Sequence, residues 1–129
     1  MSGMANADKV VFIYTTVASM DAADAIADTL VGARLAACAN IVPGMQSVYR
    51  WNGQIAREQE IVVILKTRKG LEREAIKAVC AVHPYDVPAV TAFAASSVSG
   101  DFAAWIGAET SLDHDESARA EKAKHTDQE

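Results

Sequence analysis

Residues 36–67 read AACANIVPGMQSVYRWNGQIAREQEIVVILKT, two runs of strand-forming residues joined by Asn52-Gly53. Asn-Gly between β-formers marks a two-residue hairpin, because a type I′ turn needs positive φ at both central positions. That turn sets the pairing: Trp51 faces Gln54, Tyr49 faces Ala56 and Ser47 faces Glu58. Met45, Ser47, Tyr49 and Trp51 then share one face, and Gln46, Val48 and Arg50 the other.

Each arm holds roughly 14 residues, where strands usually hold about 3–10, and would reach roughly 45 Å. Only Ile61 to Leu65 is apolar on both faces, as in a strand covered on both sides. The distal part sets aromatics beside Arg50, Arg57, Glu58 and Glu60. A long aromatic edge pairs with other chains unless something covers it, so the hairpin predicts a homo-oligomer. Pro43-Gly44 interrupts the first arm and predicts a bulge at a sheet edge.

Outward from the hairpin, Lys9 to Thr16 (KVVFIYTT) is a β-branched and aromatic first strand. Ser19 caps a helix with Asp21 in its first turn, and Ala23, Ile26, Ala27, Leu30 and Val31 form its apolar stripe. Gly32 is placed to end that helix in the left-handed conformation. Beyond the hairpin, Gly70 opens a second helix with the stripe Leu71, Ala75, Val79 and Val82, which Pro84 stops. Val87 to Ala95 reads as a fourth strand. Ser99 caps a short third helix with Phe102, Trp105 and Ile106 on one face.

The order is βαββαβ plus a short C-terminal helix, an α+β ferredoxin-like sandwich. Both helices then lie on one face of an antiparallel sheet. The other face carries Val11, Ile13, Val63 and Leu65 or their alternates, with no helix left to cover it. An open apolar sheet face is a second argument for self-association. The domain spans 9–110, residues 1–8 are expected to be disordered, and the tail 111–129 is polar, acidic and without hydrophobic period.

Bulk properties narrow the function. The chain has 129 residues and net charge −5, enough for one domain and the wrong sign for a nucleic-acid partner. No apolar run reaches membrane-spanning length, and the start lacks a basic region ahead of its apolar run, so the expected setting is cytoplasmic. Cys38 and Cys80 form no CxxC pair or disulfide framework. There is no GxSxG, HExxH, P-loop or GxGxxG, so no enzyme motif is present.

Several strings resemble one family: ARLAACANIVPGMQSVYRWNGQI at 33–55, the E-x5-K-T of Glu60 to Thr67, HPYDVP at His83–Pro88, and Trp105-Ile106. Together they are similar to the CutA divalent-cation tolerance family over about residues 9–110. The resemblance implies a homotrimer with packed hairpins and a role in tolerance of divalent metal ions, copper (Cu²⁺) especially, without an established reaction. It links His83 to copper binding. It also implies departures here: Val82 where some members have a second histidine, Tyr14 where some have a cysteine, Ala89 in place of a usual Glu, and Phe102 in place of a common Tyr.

The residues themselves leave two readings open at each position. His83 is either a helix-end hydrogen-bonding group or a metal ligand, and one imidazole alone makes no tight site. Cys38 in a strand and Cys80 one turn before His83 are weaker metal-ligand candidates, equally explained by burial and by an apolar helix face. His114 and His125 lie in the tail. Tyr49, Trp51, Glu60, Lys66, Tyr85 and Trp105 either line an inter-subunit cleft or pack an interface. Glu58 and Glu60 form paired carboxylates or a salt-bridged edge with Arg50 and Arg57. The alternative function is a trimeric small-molecule sensor or adaptor of PII-like architecture, taking an organic anion near Lys66.

Overall fold

The computed structural model describes residues 8–110. The elements are β1 (Val10–Val17), α1 (Met20–Gly32), β2 (Cys38–Trp51), β3 (Gln54–Arg68), a 3-10 turn (Lys69–Leu71), α2 (Glu72–Val82), β4 (Thr91–Ala94) and α3 (Gly100–Glu109). The four strands form one antiparallel sheet in the order β2-β3-β1-β4. This is the ferredoxin-like α+β arrangement. The disorder expected of the chain ends and the tail histidines His114 and His125 fall outside the described residues, Asp8 excepted.

Strand alternation gives the sheet two unlike faces. Val11, Ile13, Thr15 and Val17 of β1 and Val63, Leu65 and Thr67 of β3 point to one face and are fully buried. Ala23, Ile26 and Leu30 of α1 and Ala75 and Val79 of α2 pack there with Ile13, Val17, Val63 and Leu65. Each Val, Leu or Ile among them stabilises the fold by about 1.5–3 kcal/mol through burial. The opposite face carries the alternates Phe12, Tyr14, Thr16, Ile64 and Lys66.

The hairpin matches its sequence. Asn52 and Gly53 have φ of 52° and 77°, and Trp51 pairs Gln54 across them. The expected interruption is a bulge: Val42 pairs Val62, but Met45 pairs Glu60. Gly44 supplies the positive φ, 82°, that the extra residue requires. A one-residue insertion exchanges the two faces of a strand. Before the bulge Cys38, Asn40 and Val42 lie on the face opposite the helices; after it Met45, Ser47, Tyr49 and Trp51 do.

Ser19 caps α1 by accepting the Ala22 N–H at 3.1 Å, and Asp21 sits in the first turn. Other boundaries differ from expectation. Gly32 stays inside α1, and the left-handed residue is Arg34 (φ 61°), because the chain hydrogen-bonds back from Ala33 to Ala36 before it turns. Val31 and Val82 are exposed, so each stripe is one position narrower than its periodicity. β4 shrinks to Thr91–Ala94, since Pro88 has no N–H for a ladder. Ser99 is the N-cap residue of α3, but its side chain makes no capping bond.

The open face is only partly open. Ala103 and Ile106 of α3 pack on Val10 and Ala37 with Phe12 and Phe102, covering one end of that face. Trp105 points outward and is 43% exposed, so α3 does not present Phe102, Trp105 and Ile106 alike. Among the described residues no helix is long and apolar enough to cross a membrane.

Candidate functional site

The uncovered end of the open face holds a cleft of about 710 Å³ between the distal hairpin and residues 85–89. Three elements make it. β1 contributes Tyr14 and Thr16, the hairpin contributes Met45, Ser47, Tyr49, Trp51, Glu58 and Glu60, and the loop before β4 contributes Tyr85, Val87 and Ala89. The bulge is what brings Ser47 and Tyr49 to the same face as the two carboxylates.

Glu60 is the polar centre. Its Oε1 accepts the Ser47 hydroxyl at 2.6 Å and its Oε2 accepts the Tyr85 phenol at 2.9 Å. Burial pushes its carboxyl up, but hydrogen bonds from Ser47, Tyr85 and Thr16 outweigh that and hold it below its ordinary value. Burial, then the bond to Glu60 and its charge, push the Tyr85 phenol up to about 12. Tyr49 donates to Glu58, and that bond raises its phenol. Both phenols are therefore protonated donors at neutral pH and both carboxylates are acceptors.

His83 fixes the wall that carries Tyr85. It follows α2 in extended conformation and is buried, 8% exposed. Its Nε2 lies 3.0 Å from the Thr16 carbonyl oxygen and 3.1 Å from Thr15 Oγ1. Its Nδ1 accepts the Tyr85 backbone N–H at 3.1 Å. A carbonyl only accepts and an N–H only donates, so these partners select the Nε2–H tautomer. Both ring nitrogens are thereby engaged, and neither bonds the carbonyls at the end of α2. The imidazole pins the start of the loop to β1 on the helix side, and Tyr85 swings round to Glu60 on the open side.

The metal-ligand candidates do not converge within one chain. Cys38 is half-buried beside the Lys66 position on the open face, whereas Cys80 is exposed on α2 across the sheet. Cys80 and His83 do not share a helix side, because His83 leaves the helix and turns inward. Among the described residues no group of three or more His, Cys, Asp or Glu is arranged to hold a metal ion.

The expected cleft residues divide into two groups. Tyr49, Trp51, Glu60 and Tyr85 line one cleft. Lys66 instead places its ammonium 5.2 Å from the Phe12 ring centroid and 5.4 Å from that of Phe102, on which Trp105 stacks at 6.0 Å. Distance along the strand separates them: Glu60 and Lys66 are six residues apart, about 20 Å. Glu58 and Glu60 do share a face, but Arg50 and Arg57 leave the hairpin from the other one. Phenol and hydroxyl donors take the place of the expected salt bridges. Tyr14 and Thr16 are additional lining residues, traceable in sequence only through the parity of β1.

Comparison with known proteins agrees with this geometry. Residues 11–109 match the family model described as CutA1 divalent ion tolerance protein. The chain is 39% identical over 94 residues to the divalent-cation tolerance protein CutA of Thermus thermophilus, covering 73% of this chain and 91% of that one. It is 38% identical over 96 residues to the chloroplastic CutA of Arabidopsis thaliana, covering 74% of this chain but about half, 53%, of the relative. Among solved structures, CutA1 of Ehrlichia chaffeensis superposes with a TM-score of 0.78 at 34% identity, covering 81% of this chain and 97% of that chain.

Proposed function

The chain belongs to the CutA1 divalent ion tolerance family, and from that premise we propose that it is a cytoplasmic homotrimer that binds divalent cations, copper foremost, with Glu60 as the anionic centre of the site. The observation that carries this reading is an ionised carboxylate held in a cleft whose lining includes no Lys, Arg or His. Copper comes first because a given nitrogen, oxygen or sulfur donor set binds Cu²⁺ more tightly than other first-row divalent ions. Glu58 and Glu60 are too few for a closed coordination shell, so neighbouring subunits complete it, with Cys38 and Cys80 as sulfur candidates and His83 as a nitrogen ligand only where its Nδ1 releases the Tyr85 N–H. The exposed hairpin, with Val48, Trp51 and Ile55 more than half exposed, supports association. Free cysteines on separate elements suit a reducing compartment.

Calorimetric titration of Cu²⁺ and Zn²⁺ tests the reading, in full-length protein carrying His114→Asn and His125→Asn so that the tail imidazoles do not compete. Saturable binding per subunit that is lost in Glu60→Gln is expected. His83→Ala separates two roles: a ligand role abolishes binding, whereas loss of the pin weakens it through Tyr85. No binding to any of these proteins would overturn the metal reading.

A second reading, a trimeric small-molecule sensor of PII-like architecture, is favoured by the cleft itself. Its volume lies within the range of about 300–1,000 Å³ usual for ligand sites, and its walls are mostly aromatic and aliphatic.

A further inference from the structure

The cleft combines features that identify a class of ligand. Four aromatic residues line it, Tyr14, Tyr49, Trp51 and Tyr85, together with Met45 and two carboxylates. Within one chain organic anions are disfavoured there, because Glu58 and Glu60 would repel them and no cation among this chain's lining residues would offset that. Lys66, the cation expected to hold such an anion, lies against Phe12 and Phe102 instead.

The carboxylates are already occupied in part. Glu60 accepts from Ser47 and Tyr85, and Glu58 accepts from Tyr49. Their charge therefore reaches the cleft further than their free lone pairs do. A ligand matched to this site is positively charged, apolar at its surface, and undemanding of hydrogen bonds. Aromatic faces attract such a cation through their quadrupoles, most strongly at Trp.

We infer that the cleft formed by Trp51, Tyr49, Tyr85, Glu58 and Glu60 is a binding site for a small alkylated ammonium ion. This rests on the reading of the cleft as the ligand site and supplies its ligand class. Trp51 provides the principal face, Glu60 the counter-charge, and His83 the loop geometry that keeps Tyr85 on Glu60.

The test uses full-length protein with Trp105→Phe, leaving Trp51 as the fluorescent reporter. Choline is titrated against 3,3-dimethyl-1-butanol, its neutral carbon isostere. Saturable choline binding is expected, with the isostere at least about tenfold weaker. Glu60→Gln should weaken choline by a similar factor while leaving the isostere unchanged. Loss of choline binding in Trp51→Leu, followed by calorimetry at a protein concentration where light scattering gives the parent's mass, guards against an effect confined to Glu60. Equal binding of choline and isostere would reduce the cleft to an apolar pocket, and no saturation at tens of millimolar would show that something else fills it; either overturns the inference. Cu²⁺ titrated in parallel separates this inference from the metal reading. Glu60-dependent Cu²⁺ binding without choline binding overturns the ammonium site alone, and choline binding without Cu²⁺ binding upholds it while the metal reading falls.

Discussion

The two faces of one sheet do different work. On the helix side, Ile13, Val17, Val63 and Leu65 are sealed by α1 and α2, and one chain suffices to bury them. On the open side, α3 covers only the end near Val10 and Ala37, and the rest carries half-exposed aromatics, two carboxylates and the cleft. The same strands build both, one residue out of phase. The lesson is a division by parity: one set of alternating positions is sealed by the subunit's own helices, and the other leaves aromatics and carboxylates only partly covered.

The largest effect separates the faces by stability. Leu65→Ala on the helix side should cost about 2–5 kcal/mol in urea unfolding, by lost transfer energy and a cavity. Trp51→Ala, at a side chain 66% exposed, should leave the far-UV spectrum of the subunit intact and act on association instead. Comparable loss of subunit fold in both variants would break the distinction.

Next comes the device that assigns hairpin residues to the open face. Gly44→Ala places a Cβ at φ 82°, and should cost about 1–2 kcal/mol while loosening the cleft. A smaller effect of opposite sign is expected at Thr67, whose buried hydroxyl has no hydrogen-bond partner on the helix face. Thr67→Val should raise stability by about 1 kcal/mol, since a shape-matched apolar group removes an unsatisfied donor and acceptor.

The smallest effects are titrations confined to the open side. Glu60 has a depressed folded value, so its stabilising contribution is present above the ordinary 4.5 and is lost as pH falls through the lower folded value. Glu60→Gln should therefore show a flatter decline of stability below pH 4.5 than the parent. Tyr85 runs the other way: raised from 10.0 to about 12, it contributes fully below pH 10 and loses that contribution as pH climbs to 12. In ultraviolet titration, Tyr85→Phe should remove the phenol that is pushed up to about 12.

Much of this was legible in the residues because it is local. Asn52-Gly53 dictates the turn, Pro43-Gly44 the bulge, and alternation the shared face of Met45, Ser47, Tyr49 and Trp51. What stayed hidden depends on contacts distant in sequence. Val87 to Val90 has strand-like composition, yet pairing with β1 begins only at Thr91, and His83 ahead of it is held to Thr16, 67 residues away in sequence. His83 read alone could be a ligand or a helix-end group; only its partners on β1 and at Tyr85 show it as a pin. The separation of Lys66 from the cleft was within reach, since it follows from strand rise alone. That α3 closes only one end of the open face was not, because its length says nothing of where it docks.

The most direct test of the division between the faces is the solution mass of the full-length chain, by size-exclusion chromatography with light scattering across a dilution series. A mass of three chains that persists on dilution, and that Trp51→Ala lowers without unfolding the subunit, is the expected result. A folded monomer at every concentration would contradict it, because the open face would then be complete in a single copy.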